Sequence, residues 1–159
     1  MNSLTHFLVS FDITYLLFHN YAGLWEIVLF SFVFSVLVDI DVWYALIKKK
    51  GKSHLRTWIQ EPLGLAMLGF PIGLILSVVF EPIYLLLVII PYSLHIILDY
   101  FTCHLTSPLA PVDKKPIEIG FILPFPKSPE FKEKFMGKSG ISEIYVTVIA
   151  LAIAVILVI

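Results

Sequence analysis

The hydrophobic residues of the chain fall into five runs, and short polar or proline-containing stretches separate them. A helix needs about 20 apolar residues to cross roughly 30 Å of hydrocarbon. The first run is short for this purpose and is interrupted by His6 and Asp12, so it either crosses as a tilted helix or lies partly at the surface. The pattern predicts an all-α, polytopic membrane helix bundle of four to five transmembrane helices in a single domain. The predicted spans are residues 4–18, 24–38, 63–80, 83–101 and 141–159.

The composition supports a membrane protein. Hydrophobic residues make up 58% of the 159 residues and charged residues 14%, and the mean hydropathy is +0.92. A chain of this length and composition cannot bury its apolar surface as a water-soluble domain. The net charge of −1 gives no basic excess for phosphate backbones, so no nucleic-acid partner is expected. The single Cys103 excludes a disulfide within the chain.

The basic residues predict the topology. All Lys and Arg residues lie in two stretches, 48–56 and 114–138, which two predicted spans separate. Two spans return the chain to the same face of the membrane, and the positive-inside rule makes that face cytoplasmic. We therefore expect a multi-pass protein of the cell membrane with its basic loops, 42–61 and 102–140, in the cytoplasm. The second loop is rich in proline and is predicted to lie irregularly at the membrane surface.

Histidine and acidic residues concentrate at that same predicted face. His95 and Asp99 are four residues apart near the end of an apolar run, so a helix places both on one face. Ionisable residues inside such runs are uncommon and are commonly functional. The predicted topology brings further polar residues to the level of this pair, at the cytoplasmic helix ends of the bundle. These residues are His6, Asp39, Asp41, His54, Arg56, Gln60, Glu61 and Glu143.

These residue types suit one or two divalent metal ions. Imidazole and carboxylate together match zinc, manganese or iron. Zinc is the preferred prediction, with manganese or magnesium as alternatives. A bound ion would activate water for hydrolysis, and Arg56 could bind a phosphate in a fork geometry. Plainer interpretations exist for single residues: Asp39 as a stop signal at the interface, His95 as an interhelical hydrogen-bond donor, and Asp99 as the partner of a loop lysine.

The same residues carry a resemblance to a known family. From the N-terminus to the start of the last helix, the chain resembles the YdjM-like family of membrane-bound, predicted metal-dependent hydrolases. That family has a histidine near its start, a Pro-Asp-Ile-Asp-like motif, a His-Arg-x-x-Thr-His element, a His-x-x-x-Asp-x-x-Thr signature, a proline-rich loop and a glutamate that opens the final helix. The matching residues are Thr5-His6, Val38-Asp39-Ile40-Asp41, His54 with Arg56-Thr57-Trp58-Ile59-Gln60, His95 with Asp99 and Thr102, Ser107-Pro108-Leu109, and Glu143.

The chain departs from the family pattern in its second and third motifs. Val38 replaces the proline, and His54 lies one residue further from the arginine than in the family. Ile59 and Gln60 replace the threonine and the second histidine. Glutamine is a poor substitute for an imidazole ligand, although Glu61 could supply a carboxylate. The chain therefore either uses a modified metal shell or has lost one metal or its activity.

The resemblance implies a metal-dependent hydrolase that acts on a phosphoester or lipid-type substrate at the cytoplasmic membrane face. The alternative is a non-catalytic metal-binding or structural module that binds a protein partner through its cytoplasmic loops. A transporter would instead place ionisable residues near the bilayer midplane, whereas these residues cluster at one end. For the hydrolase, the predicted metal ligands are His6, Asp39, Asp41, His54, His95 and Asp99, and the predicted catalytic residues are Arg56, Glu61 and Glu143.

Overall fold

The computed structural model describes residues 3–39, 58–101, 105–106, 112, 117–118 and 141–158. Helices account for most of these residues, and two short 3-10 turns, Leu37–Asp39 and Trp58–Gln60, lie between the second and third helices. The described ranges also contain two short strands, β1 (Leu105–Thr106) and β2 (Ile117–Glu118), which pair in antiparallel orientation. The helices are α1 (Ser3–Phe18), α2 (Leu24–Val36), α3 (Pro62–Val79), α4 (Ile83–Phe101) and α5 (Ile141–Val158).

The prediction of an all-α fold is confirmed, and every helix begins and ends within two residues of its predicted apolar run. Two helical stretches, Pro62–Val79 and Ile83–Tyr100, are long and apolar enough to cross a membrane. The other apolar stretches are shorter: α1, α2 and Val146–Val158 of α5. The predicted number of four to five spans therefore stays a prediction.

Helix α3 is held against α4 by close backbone packing. It begins at Pro62, whose missing N–H is not needed in the first turn of a helix. The helix widens to a π-helix over Leu65–Gly69 before it returns to α-helical geometry. A Cβ atom at Gly69 would lie 2.7 Å from the ring of Tyr92, so only glycine permits this approach of α3 to α4.

Helices α1, α2 and α4 share an apolar core at one end of the bundle. Phe18 of α1, Ile27 of α2 and Leu87 of α4 belong to one buried cluster. Helix α1 reaches this cluster at its C-terminal end, whereas α2 and α4 reach it in their N-terminal turns, so α1 is antiparallel to both. Helix α5 packs along α1, where the hydroxyls of Thr5 and Thr147 share a hydrogen bond of 2.5 Å. The N-terminal turns of α1 therefore meet the C-terminal ends of α2 and α4.

Candidate metal centre

Two histidines and two aspartates meet at this second end of the three-helix seam. One ring nitrogen each of His6 and His95 and one carboxylate oxygen of Asp39 lie within 4.8 Å of one another. Asp99 contacts both imidazoles, with Oδ1 at 3.0 Å from Nε2 of His6 and Oδ2 at 3.4 Å from Nε2 of His95. Oδ1 of Asp39 lies 3.5 Å from the same Nε2 of His95. Three helices thus present four ionisable side chains to one small volume.

The local structure explains why these side chains converge. His6 lies in the first turns of α1, and Asp39 ends the 3-10 turn that continues α2. His95 and Asp99 occupy successive turns on one face of α4. Both imidazoles are fully buried, and the side chain of Asp99 is only 8% exposed. Ionised groups at this depth are stable only when they are paired, so each aspartate depends on a protonated imidazole or on a bound cation.

The ring of His95 is held in one orientation. Its Nδ1 lies 2.7 Å from the backbone carbonyl of Ser35, and this nitrogen must donate because a carbonyl can only accept. In the neutral ring, Nε2 then carries the lone pair, and it faces both aspartates. Nε2 has no hydrogen-bond partner within the described chain. A backbone carbonyl that fixes the tautomer in this way is a common feature of histidines that bind metal.

His6 packs against His95 rather than against an apolar side chain. The two ring centroids are 4.2 Å apart, and the ring planes are inclined by 30°. Neither ring nitrogen of His6 has a well-formed hydrogen bond among the residues described, although Nε2 is close to Asp99. Nε2 of His95 and the ring nitrogens of His6 therefore remain available to a cation between the rings and the carboxylates.

Gln60 has a role that the sequence did not reveal. Its Nε2 donates a hydrogen bond of 2.9 Å to Oδ1 of Asp39, and its side chain is buried. This amide fixes the orientation of a carboxylate that also faces His95. The residue that replaces a family histidine thus supports Asp39. The spacing of Ser35 and Asp39, one helical turn apart at the end of α2, was the sequence signal for a polar face on that helix.

Glu61 lies next to this arrangement and is also buried. Its Oε2 accepts a hydrogen bond of 2.6 Å from the hydroxyl of Tyr100, the residue after Asp99. The hydroxyl of Tyr92 donates a bond of 2.5 Å to the carbonyl of Ile59. These two tyrosines attach the Trp58–Gln60 turn to α4. Glu61 is outside the group of three ligand atoms defined by His6, Asp39 and His95.

The remaining predicted site residues are not all in the described ranges. Asp41, His54 and Arg56 lie outside the described residues, so their predicted roles stay predictions. Glu143 lies in the first turn of α5, as expected, and its side chain is not among those described.

The residues present fit a divalent metal ion. Zinc is bound by imidazole nitrogen and carboxylate oxygen at about 2.0–2.2 Å, which puts the ligand atoms of a tetrahedral shell about 3.4 Å apart. The spacing of up to 4.8 Å in the structure would have to close by up to about 1.4 Å, which side-chain rotation can supply. Magnesium prefers an oxygen-rich octahedral shell, so two imidazoles argue for zinc over magnesium.

The fold and this centre define a helical membrane protein with a buried histidine–aspartate cluster that could hold a metal ion. Comparison with known families gives the particular family: the model for the YdjM inner membrane proteins matches residues 1–159, the whole chain. The chain therefore belongs to the YdjM inner membrane protein family. No curated protein and no solved structure matches it.

Proposed function

We propose that the protein is a membrane-bound, metal-dependent hydrolase that acts on a phosphoester or lipid-type substrate at the cytoplasmic membrane face. The orientation of His95 carries the proposal. Its Nδ1 donates to the Ser35 carbonyl, and its Nε2 faces Asp39 and Asp99 beside a second imidazole. The bond from Nδ1 to Ser35 is the interhelical contact that the plainer interpretation of His95 predicts, and the metal proposal therefore rests on Nε2, which has no hydrogen-bond partner in the described chain.

His6, Asp39 and His95 would hold the ion, and Asp99 would either complete the shell or orient the two imidazoles. Zinc is the preferred metal, with manganese as the alternative that the ligand types also permit. An ion bound there would polarise a phosphoryl oxygen and activate a water molecule. Gln60 would keep the Asp39 carboxylate in the orientation that faces His95.

Arg56, Glu61 and Glu143 are the proposed catalytic residues. Arg56 would bind the anionic part of a phosphoester, because a guanidinium matches phosphate oxygens in two hydrogen bonds. Glu61 directly follows Gln60, and the hydrogen bond that it accepts from Tyr100 holds it beside α4. A carboxylate in this position can act as a general base towards water. Glu143 has the same proposed role from α5.

The proposed setting is a multi-pass bundle of four to five spans with the metal centre at its cytoplasmic face. The family description as an inner membrane protein and the two candidate spans support a membrane location. An open apolar cleft begins at Pro62, the residue after Glu61, and is a place where the acyl chain of such a substrate would lie. Its walls are Pro62, Leu65, Ala66, Phe70 and Ile89.

Metal analysis of detergent-purified protein tests the metal centre. We expect about one equivalent of zinc per chain in the wild type and less than about a tenth of an equivalent in His95→Ala. His19→Ala is the matched control, because His19 is exposed and its ring contacts Tyr15, through the backbone carbonyl and the aromatic ring, rather than the residues of the metal centre. Equal metal content in the wild type and His95→Ala would contradict the proposed metal centre.

A separate assay tests hydrolysis. Zinc-loaded protein should release phosphate from an aryl phosphate or from a phosphatidate-type lipid in mixed micelles, and Asp39→Asn should lower the rate by at least about tenfold. Bound metal without turnover of either phosphoester would reject the hydrolase and retain the metal centre.

The second candidate is a non-catalytic metal-binding module. The full burial of both imidazoles favours it, because a catalytic ion needs an open position that substrate can reach. In that case the centre would lock the ends of three helices, and the cytoplasmic loops would bind a protein partner. Metal-dependent stability without metal-dependent turnover distinguishes this candidate from the hydrolase.

A further inference from the structure

A line of buried hydroxyl groups runs along the seam between the metal centre and the apolar core. Ser10 and Thr14 follow His6 at successive turns of α1, and Ser31 and Ser35 lie one turn apart near the end of α2. All four side chains are fully buried. A spacing of four residues keeps each set on one face of its helix.

Contacts at the two ends of the seam determine which residues face each other. Helix α1 contacts α2 and α4 through His6 at one end and through Phe18 at the other, and these positions are about three turns apart on every helix. This common spacing puts Ser10 level with Ser35 and His95, one turn inward from the metal centre. At one end His6 lies 3.0 Å from Asp99 and within 4.8 Å of Asp39, and at the other end Phe18 shares one buried cluster with Phe11, Ile27 and Leu87.

The next turn inward contains Thr14, Ser31 and Pro91, and we call it the hydroxyl layer. Oγ1 of Thr14 and Oγ of Ser31 have no hydrogen-bond partner within the described ranges. Pro91 has no N–H, so the carbonyl of Leu87 lacks its usual helical donor. Helix carbonyls point towards the C-terminus, which directs this one at the hydroxyl layer. Two O–H groups and one backbone acceptor thus meet at one level.

A hydroxyl in this seam can also be satisfied by a carbonyl of its own helix, as Ser35 shows. Its Oγ donates to the Ser31 carbonyl one turn earlier, at 2.5 Å, which is the usual local bond of a serine inside a helix. Ser10, Thr14 and Ser31 do not make a bond of this kind, since their hydroxyl oxygens lack partners in the described chain. Buried polar groups in proteins are normally satisfied by protein or by ordered water.

We propose that the three helices enclose a water-binding pocket that begins at the hydroxyl layer and continues through Ser10 to the metal centre. Water there accepts hydrogen bonds from Thr14 and Ser31 and donates one to the Leu87 carbonyl. The apolar cluster of Phe18 closes the pocket at its inner end. Water thereby reaches the two histidines from inside the bundle. The pocket rests on the fold and does not depend on hydrolase activity.

Radiolytic hydroxyl-radical labelling of the detergent-purified full chain tests the pocket, because radicals formed from bound water modify the side chains beside it. Pro91 should be labelled within microseconds in the wild type, well above Leu8, which is similarly buried on the opposite face of α1 from Ser10. The excess should disappear in the Thr14→Val/Ser31→Ala double variant and persist after chelator treatment. Labelling of Pro91 no stronger than that of Leu8 in the wild type would overturn the proposal.

The thermal midpoint of unfolding gives a second test. The change in midpoint of Thr14→Val is expected to have opposite signs with and without water in the seam. Thr14→Val keeps the shape and removes the hydroxyl. If water occupies the pocket, the midpoint of Thr14→Val should fall, because hydrogen bonds to water are lost. Thr14→Ser keeps the hydroxyl and should stay close to the midpoint of the wild type. In a dry seam, Thr14→Val removes an unsatisfied group and the midpoint rises or does not change. A rise would contradict the proposal, and neither result depends on whether the protein hydrolyses phosphoesters.

Discussion

The two ends of the α1–α2–α4 seam use the same three helices and the same spacing for opposite purposes. At one end Phe18, Ile27 and Leu87 fill the space with apolar side chains. At the other end, His6 contacts Asp99 of α4 and lies within 4.8 Å of Asp39 in the turn that continues α2. The apolar end needs no ligand to be stable, whereas the polar end is stable only because its charges are paired. The comparison separates the residues that hold the fold from those that give it a site.

The polar end has supports that the apolar end does not need. The Ser35 carbonyl orients His95, and the Gln60 amide orients Asp39. Such supports raise the precision of a binding site more than they raise stability. The comparison therefore predicts that ligand removal and mutation will affect the two ends differently.

Removal of metal should have the largest effect, and it should act at the polar end alone. A ligand present at 1,000 times its dissociation constant stabilises the folded state by about 4 kcal/mol. Addition of a chelator to zinc-loaded protein should therefore lower the free energy of unfolding by an amount of that order. Unfolding in detergent, followed by circular dichroism, measures the change. His95→Ala should show no response to the chelator, and a response equal to that of the wild type would contradict the site.

Leu87→Ala, a substitution at the apolar end, should lower stability without changing metal content. Large-to-small substitutions in cores cost roughly 2–5 kcal/mol, and we expect the lower part of this range because lipid tails are as apolar as leucine, which leaves mainly lost packing. Metal content should stay at the wild-type level, since Leu87 is about two turns from His95 and about three turns from Asp99 on the same helix. Equilibrium unfolding and metal analysis of the same sample check both halves. Loss of metal from folded Leu87→Ala would mean that the two ends are not independent.

Much of this architecture could be predicted from the sequence, because apolar runs mark helices directly. The helix bounds followed from the runs, and the meeting of His6, Asp39, His95 and Asp99 followed from charge placement and the family resemblance. Whether a metal ion binds there stays a prediction. Asp41, which shares a motif with Asp39, lies outside the described residues.

The remaining features depended on register between helices, which a single sequence does not display. The hydrogen bond from Gln60 to Asp39 joins a turn to the end of a different helix, and nothing in local spacing indicates it. The hydroxyl layer was not predicted, because serine and threonine are common in apolar helices and their spacing alone does not show a shared level. Which helix faces them depends on side-chain packing, and the hydrophobic pattern is nearly uniform around these apolar helices.

Gln60→Leu should weaken the polar end without removing a proposed ligand. The substitution keeps a similar volume and removes the amide that donates to Asp39. Loss of such an orienting bond lowers metal affinity by about 10–100-fold, which corresponds to about 1.4–2.7 kcal/mol. Competition with a fluorescent zinc chelator measures the affinity, and Gln60→Asn provides a variant that retains an amide donor. Unchanged affinity in Gln60→Leu would show that Asp39 does not need this support or is not a ligand.

The smallest expected effect is a difference in stability between the loss of two tyrosine–glutamate hydrogen bonds, one at each end of the bundle. Tyr100 donates to the fully buried Glu61, and Tyr84 donates to the more accessible Glu26. Tyr100→Phe leaves a buried carboxylate without this donor, so we expect a loss of about 1–3 kcal/mol in the free energy of unfolding. Tyr84→Phe exposes its carboxylate to water, which replaces the lost donor, and its effect should be smaller. Paired unfolding measurements on the two variants give the difference directly. An equal or larger loss for Tyr84→Phe would mean that the end of the bundle with the apolar core is as dependent on polar contacts as the end with the metal centre.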